Sequence, residues 1–174
     1  MSTPEQAHTR VATASDAPLI ARMLRDFNAE YDDPAPEQDW LAGRVAELLR
    51  QGATAVVLLE ATGTDSPDTT GEGSADGLAL MRFRPSLWDD ADECYLAELY
   101  VRPPRRGRGL GRALLTAAMR HASERGATYM DLATTNQDTA AVALYESMGF
   151  DRHERRGPDT VSYYFEIDLP RPEA

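Results

Sequence analysis

Apolar and polar positions along the chain alternate between two rhythms, one of period two and one of helical spacing. "TRVATA" (9–14) reads as a short strand. From Ala17-Pro18 onward, Leu19, Met23, Leu24 and Phe27 recur on one helical face, and Ser15 or Asp16 is placed to cap that helix. "AEYDDPAP" (29–36) breaks it, and "EQDWLAGRVAELLRQG" (37–52) predicts a second helix closed by Gly52. "ATAVVLLEA" (53–61) has the unbroken apolar run of a buried strand. The Gly, Ser, Thr, Asp and Pro of 62–76 predict a flexible hairpin loop. "GLALMRFRP" (77–85) and "ECYLAELYV" (93–101) follow as strands, and Leu110 to Arg125 as a helix stopped by Gly126. "TYMDLAT" (128–134) is a strand, "TAAVALYESM" (139–148) a helix and "VSYYFEIDL" (161–169) a final strand. This order, β-α-α-β-β-β-α-β-α-β, predicts one α/β domain over 1–174 with its core at about 9–169. Its sheet is mixed, with helices on both faces.

Composition narrows the class. No apolar run approaches the roughly 18 residues of a membrane span, and the polar start lacks the apolar stretch of a secretory signal. The single cysteine, Cys94, excludes an internal disulfide framework. It suits a reducing, cytoplasmic setting, with Cys94 as a small buried hydrophobe. A formal net charge of −11 argues against general nucleic-acid binding and agrees with a cationic substrate. Every basic residue except histidine is arginine, so lysine Schiff-base chemistry is excluded. His8, His121 and His153 show no ligand or triad spacing, so no metal site is expected.

Against this acidic background, residues 102–112 read "RPPRRGRGLGR", with five arginines and three glycines between a strand and a helix. A helix start offers unpaired N–H groups and about half a positive charge. Glycines let the backbone approach an anion, and arginines add charge-assisted hydrogen bonds. The nucleotide P-loop needs a lysine that is missing here. The dinucleotide fingerprint fails because Arg112 stands where its third glycine belongs. The pattern that fits is R-x-x-G-x-G, at Arg106, Gly109 and Gly111.

With this motif the sequence resembles the GNAT superfamily of acetyl-CoA-dependent N-acyltransferases. A second segment agrees: "NQDTAAVALYESMGF" is similar to the family's N-x-x-A-x-x-L-Y-x-x-x-G-F. The resemblance implies acetyl-CoA as co-substrate and a sheet splayed between two strands. It assigns the pyrophosphate to Arg106, Gly107, Arg108, Gly109, Leu110, Gly111 and Arg112, and the other side of the coenzyme to Asn136, Ala140 and Tyr145. It implies that Leu99, Tyr100 and Val101 pair with the pantetheine arm through their backbone, with an N–H near Leu99 serving the oxyanion. Tyr145 would protonate the leaving thiolate.

The base is open. Some family branches place a glutamate where this chain has Tyr95 or Ala97. Glu98 is adjacent, and strict alternation sends it to the opposite face unless a bulge intervenes; water is the other route. A weaker likeness to the polyamine branch makes Glu30, Asp32, Asp33, Trp88 and Asp89 candidates for gripping a second ammonium. Trp88 would add about 1 kcal/mol of cation–π attraction. The expected function is therefore N-acetylation of a small, cationic, polyamine-like amine. An antibiotic or amino-acid N-acetyltransferase is the alternative, and a non-catalytic acyl-CoA sensor the alternative of another class. Family members often dimerise, and 161–169 is suited to pair across a two-fold. No nucleic-acid or membrane partner is expected.

Overall fold

The computed structural model describes residues 6–62, 74–153 and 156–169 and divides into two units, Met1–Leu132 and Ala133–Ala174. The first holds β1 (Gln6–Val11), α1 (Ala17–Glu30), α2 (Gln38–Gln51), β2 (Thr54–Thr62), β3 (Gly77–Pro85), β4 (Asp92–Val101), α3 (Leu110–Glu124) and β5 (Ala127–Leu132). The strands lie in the order β1-β2-β3-β4-β5. The first three pairings are antiparallel and β4–β5 is parallel, with α3 as the crossover that a parallel pair requires. The α/β reading with a mixed sheet therefore holds. No helix among the described residues is long and apolar enough to cross a membrane.

The sheet has apolar side chains on both faces because helices cover both. Val56, Leu58, Leu78, Leu80 and Tyr100 pack with Leu19, Ile20 and Met23 of α1 and Val45 of α2. The partners that alternate with them in the ladders, such as Met81, Ala79 and Leu59, are equally buried on the side of α3, which contributes Leu114 and Leu115. Each fully buried aliphatic side chain is worth about 2 kcal/mol of transfer free energy. Cys94 is buried as expected, and burial pushes its thiol up to about 11, out of the reactive range.

Asp16 is the N-cap of α1, as expected, but its side chain makes no cap hydrogen bond to the helix. Asp16 turns back to accept from the Thr13 amide at 2.8 Å and takes the Arg10 guanidinium at 2.7 and 2.9 Å. The hydrogen bond from Arg10 is the main reason its carboxyl is held down to about 2. A carboxyl depressed by folding stabilises above its unfolded value and loses that contribution as pH falls through its folded one. Asp16→Asn is thus expected to cost about 1 kcal/mol at neutral pH. In thermal unfolding, its difference from wild type should stay flat down to about pH 4 and then shrink toward pH 2.

Two expectations need correction. Residues 161–169 form no strand: Phe165 is 88% exposed, and the segment is fastened near its start by the Ser162 amide to the Arg152 carbonyl at 3.1 Å. Alternation specifies a face but not a neighbouring edge, so the pattern misled here; this stretch is accordingly not core. Of the expected hairpin loop, 63–73 lies outside the described residues, whereas Ala75 at its end is buried in the core.

Candidate active site

β4 carries the irregularity on which the site depends. Along β3 the partner of Leu80 is Glu98, but the partner of Met81 is Leu96, so Ala97 is an extra residue. This is the bulge that the sequence reading left as a condition. It sets Glu98 opposite Leu80 on the face toward α1 and α2, beside Ala97, which packs against the same cluster. Burial pushes the Glu98 carboxyl above the usual carboxylate range, with Arg82 opposing in smaller measure. Immediately past Leu96 the ladder to β5 stops, at Leu96↔Leu132, while β4 runs on to Val101. The splay between two strands is therefore present, and it leaves the segment from Ala97 to Val101 running without β5 beside it. The Tyr100 and Val101 side chains are buried, so what this segment offers on that edge is backbone.

After β4 the chain makes a short turn at Pro103–Arg105 and enters the glycine loop. Gly107 and Gly109 have φ of +76° and +80°, and among the described residues nothing beyond the chain neighbours lies within 4 Å of a Cβ placed on either. Gly109 is the N-cap of α3, so no cap side chain accepts from the first turn. The Ala113 amide donates to the Gly109 carbonyl at 3.1 Å as the helix bond that closes this turn. The amides of Leu110, Gly111 and Arg112 come before that bond, at positions where a helix has no acceptor of its own. The buried Leu110 side chain anchors this end while Arg108 and Arg112 stand exposed around it.

The arginines divide into two groups. Arg105 is buried, its Nε 3.3 Å from Asp76 Oδ1. Arg106 turns back: its Nε donates to the Val101 carbonyl at 2.8 Å, and its Nη2 to Glu30 at 2.7 and 3.1 Å. Much of the positive charge that marks the stretch in the sequence therefore fastens the loop. Asp76 escaped the sequence reading because it closes a polar stretch of loop composition. Its signal was its place just before Gly77, where a Cβ would come within 2.8 Å of the Tyr100 carbonyl.

The expected substrate residues are not gathered in one place. Glu30 is engaged by Arg106, near Val101. Trp88, 88% exposed, and Asp89 sit in the turn before β4, at its other end, which at about 3.3 Å per residue is roughly 30 Å away. Asp89 there accepts from the Ala91 amide at 3.1 Å and from Thr128 Oγ1 at 3.4 Å, which gives it a role in shaping the turn. One small amine cannot span both groups. Asp32, at φ +55°, and Asp33 lie in the α1–α2 connection and, among the described residues, form no side-chain ion pair.

The second unit holds α4 (Thr139–Ser147), capped by Asp138, which accepts from the Ala141 amide at 3.0 Å. Asn136 lies in the exposed turn before it, and Ala140 is exposed in its first turn. The end of α4 explains the spacing Y-x-x-x-G-F. Gly149, at φ +91°, donates to the Glu146 carbonyl at 3.1 Å, and Phe150 to the Tyr145 carbonyl at 3.1 Å. This is a Schellman motif, and its usual apolar contact is the Tyr145–Phe150 ring pair, 5.8 Å between centroids. The motif fixes the ring of Tyr145 by its own helix end.

A mixed sheet whose strand β4 outruns its parallel neighbour β5 and leads into a glycine-capped helix start is the arrangement expected of the coenzyme A-dependent N-acyltransferases. The comparisons agree. The acetyltransferase (GNAT) family profile matches residues 22–150. The Escherichia coli K12 protein named "Uncharacterized N-acetyltransferase YjgM" is 32% identical over 152 residues, covering 85% of this chain and 84% of that one. A mycothiol acetyltransferase of Kocuria rhizophila is 42% identical over 165 residues, 84% of this chain; this chain spans 53% of that protein's length. Among solved structures, the Arthrobacter sp. FB24 protein named "putative acetyltransferase" superposes with a TM-score of 0.78 at 36% identity, covering 96% of this chain and 99% of that one. The chain belongs to the acetyltransferase (GNAT) family and is an acetyl-CoA-dependent N-acetyltransferase.

Proposed function

We propose that the protein transfers the acetyl group of acetyl-CoA to a primary amine of a small cationic substrate, of polyamine-like chemistry. The observation that carries this reading is the run from Ala97 to Arg112: a strand edge past the end of the β5 ladder, two left-handed glycines, and a helix start without a side-chain cap. Its features fit the two ends of the coenzyme. The amides of the first turn, with Gly107 to Gly109 and the Arg108 and Arg112 guanidinium groups, suit a pyrophosphate. The backbone from Leu99 to Val101 suits the amides of a pantetheine arm, and its N–H groups suit a developing oxyanion.

The co-substrate supplies an acyl thioester, which an unprotonated amine attacks. Glu98 takes the proton that the amine must lose, from the bulge that aims it off the α3 face. The family motif assigns Tyr145 the proton that the departing sulfur takes up, and assigns Asn136 and Ala140 to the coenzyme. Asp32 and Asp33, in a chain of net charge −11, support a cationic amine.

The test is thiol release from acetyl-CoA against diamines, spermidine, aminoglycosides and amino acids, with Tyr145→Phe in parallel. One cationic class should stimulate release, and the variant should lose roughly 10²-fold in kcat, the lower end for a general acid, because a thiolate is already a fair leaving group. Turnover of uncharged amino acids in preference would favour the amino-acid alternative. Binding of acetyl-CoA without turnover of any amine would favour the sensor.

A further inference from the structure

Glu30 ends α1, and its two carboxylate oxygens both accept from Arg106 Nη2, at 2.7 and 3.1 Å. Arg106 is fixed at a second point by its Nε on the Val101 carbonyl, 2.8 Å away. Its guanidinium carbon lies 5.7 Å from the centroid of the Tyr100 ring, which packs on Phe27 of α1 at 5.3 Å. The end of α1, the end of β4 and the entry to the glycine loop are thus tied through one side chain.

We propose that Glu30 is a positioning residue for the coenzyme loop, acting through Arg106, and is not a contact for the substrate ammonium. This rests on the coenzyme reading above. Arg106 is the last residue before Gly107, with extended φ and ψ of −70° and 161°. Where its side chain is pinned decides where the left-handed turn begins. A loop with two glycines has much conformational freedom to lose when it orders on a ligand. Fastening its entry in advance lowers that loss, and with it the coenzyme dissociation constant. Arg105 on Asp76 fastens the same segment from the β3 side. The Glu30 carboxylate is already balanced by a guanidinium, so an ammonium would have to displace Arg106 to use it. Asp32 and Asp33, two and three residues on, are left to meet the cation.

The test compares wild type, Glu30→Gln, Glu30→Asp, Arg106→Gln and the Glu30→Gln/Arg106→Gln double variant. Coenzyme A binding is measured by calorimetry, and kcat and both KM values by thiol release. The pair is half-exposed, so the effect is that of a partly screened contact. Glu30→Gln should raise the coenzyme Kd and the acetyl-CoA KM about fivefold, leaving kcat and the amine KM within about twofold. Glu30→Asp should recover part of the loss, and the double variant should be no worse than Arg106→Gln alone. A rise in amine KM with coenzyme Kd unchanged would overturn the proposal in favour of direct ammonium contact. An unchanged Kd in Glu30→Gln, with wild type binding normally, would overturn it and leave the coenzyme reading standing. Wild type that fails to bind coenzyme A would remove both. Should Glu30→Gln melt early, the comparison of Glu30→Asp with wild type decides by the same Kd-against-kcat split.

Discussion

Glu98→Gln should lower kcat/KM for the amine about 10³-fold, within the usual range for loss of a general base. It should do so without lowering the melting temperature at neutral pH. Both halves follow from the same fact, that the carboxyl is raised by burial. A base must be deprotonated to act, so the wild-type rate falls on the acid side as Glu98 takes up a proton. That limb lies at higher pH than an exposed glutamate would give. The variant has no such group, and its remaining activity should lack this limb. For stability the sign is reversed. A carboxyl whose folded pKa is raised favours the fold below its unfolded value, and that contribution disappears as pH rises through the folded one. At pH 7 the charged form is held at a cost, so removing the charge leaves stability equal or slightly higher. Rates from pH 5 to 9, together with thermal unfolding at pH 7, check both. A variant that keeps the wild-type rate and acid limb would show that the amine loses its proton to water.

The same residue shows what the sequence could and could not tell. The strand itself was legible from its apolar content, and the need for a bulge was legible from Glu98 lying one place away from the expected register. The bulge itself has a signal in the sequence. Cys94 and Leu96 face α3 and so do Leu99 and Val101, which is a slip of one in a period-two pattern. The glycine loop was legible because positive φ and close anion approach leave few residue choices. The wiring of its arginines was not. Arg105 and Arg106 are adjacent and chemically identical, yet one is buried on Asp76 and the other folds back on Glu30. Partners 29 and 76 positions away leave no local pattern. The segment 161–169 failed for the complementary reason: its alternation is strong, but a strand also needs an edge to join.

Gly109→Val should raise the KM for acetyl-CoA about 10²-fold while leaving the fold intact. At φ +80° and ψ 0° this residue is in the left-handed region, where a β-branched side chain costs about 1–3 kcal/mol. Space is not the obstacle, since beyond its chain neighbours and its own helix no atom of the described residues lies within 4 Å of the added Cβ. Gly77 is the contrast: there a Cβ meets the Tyr100 carbonyl at 2.8 Å, and the conflict is with the sheet itself. At Gly109 the chain can relieve strain only by rotating the peptides around the helix cap. That turns away the amides on which the pyrophosphate reading depends, so the strain is felt as lost coenzyme affinity. A series separates this from simple obstruction. Asparagine tolerates left-handed backbone better than alanine, and alanine better than valine, although asparagine is larger than alanine. If the acetyl-CoA KM rises in the order glycine, asparagine, alanine, valine, backbone conformation holds the coenzyme. If asparagine is instead worse than alanine, side-chain bulk at the ligand surface sets affinity, and the coenzyme lies closer over Gly109 than the loop conformation by itself requires.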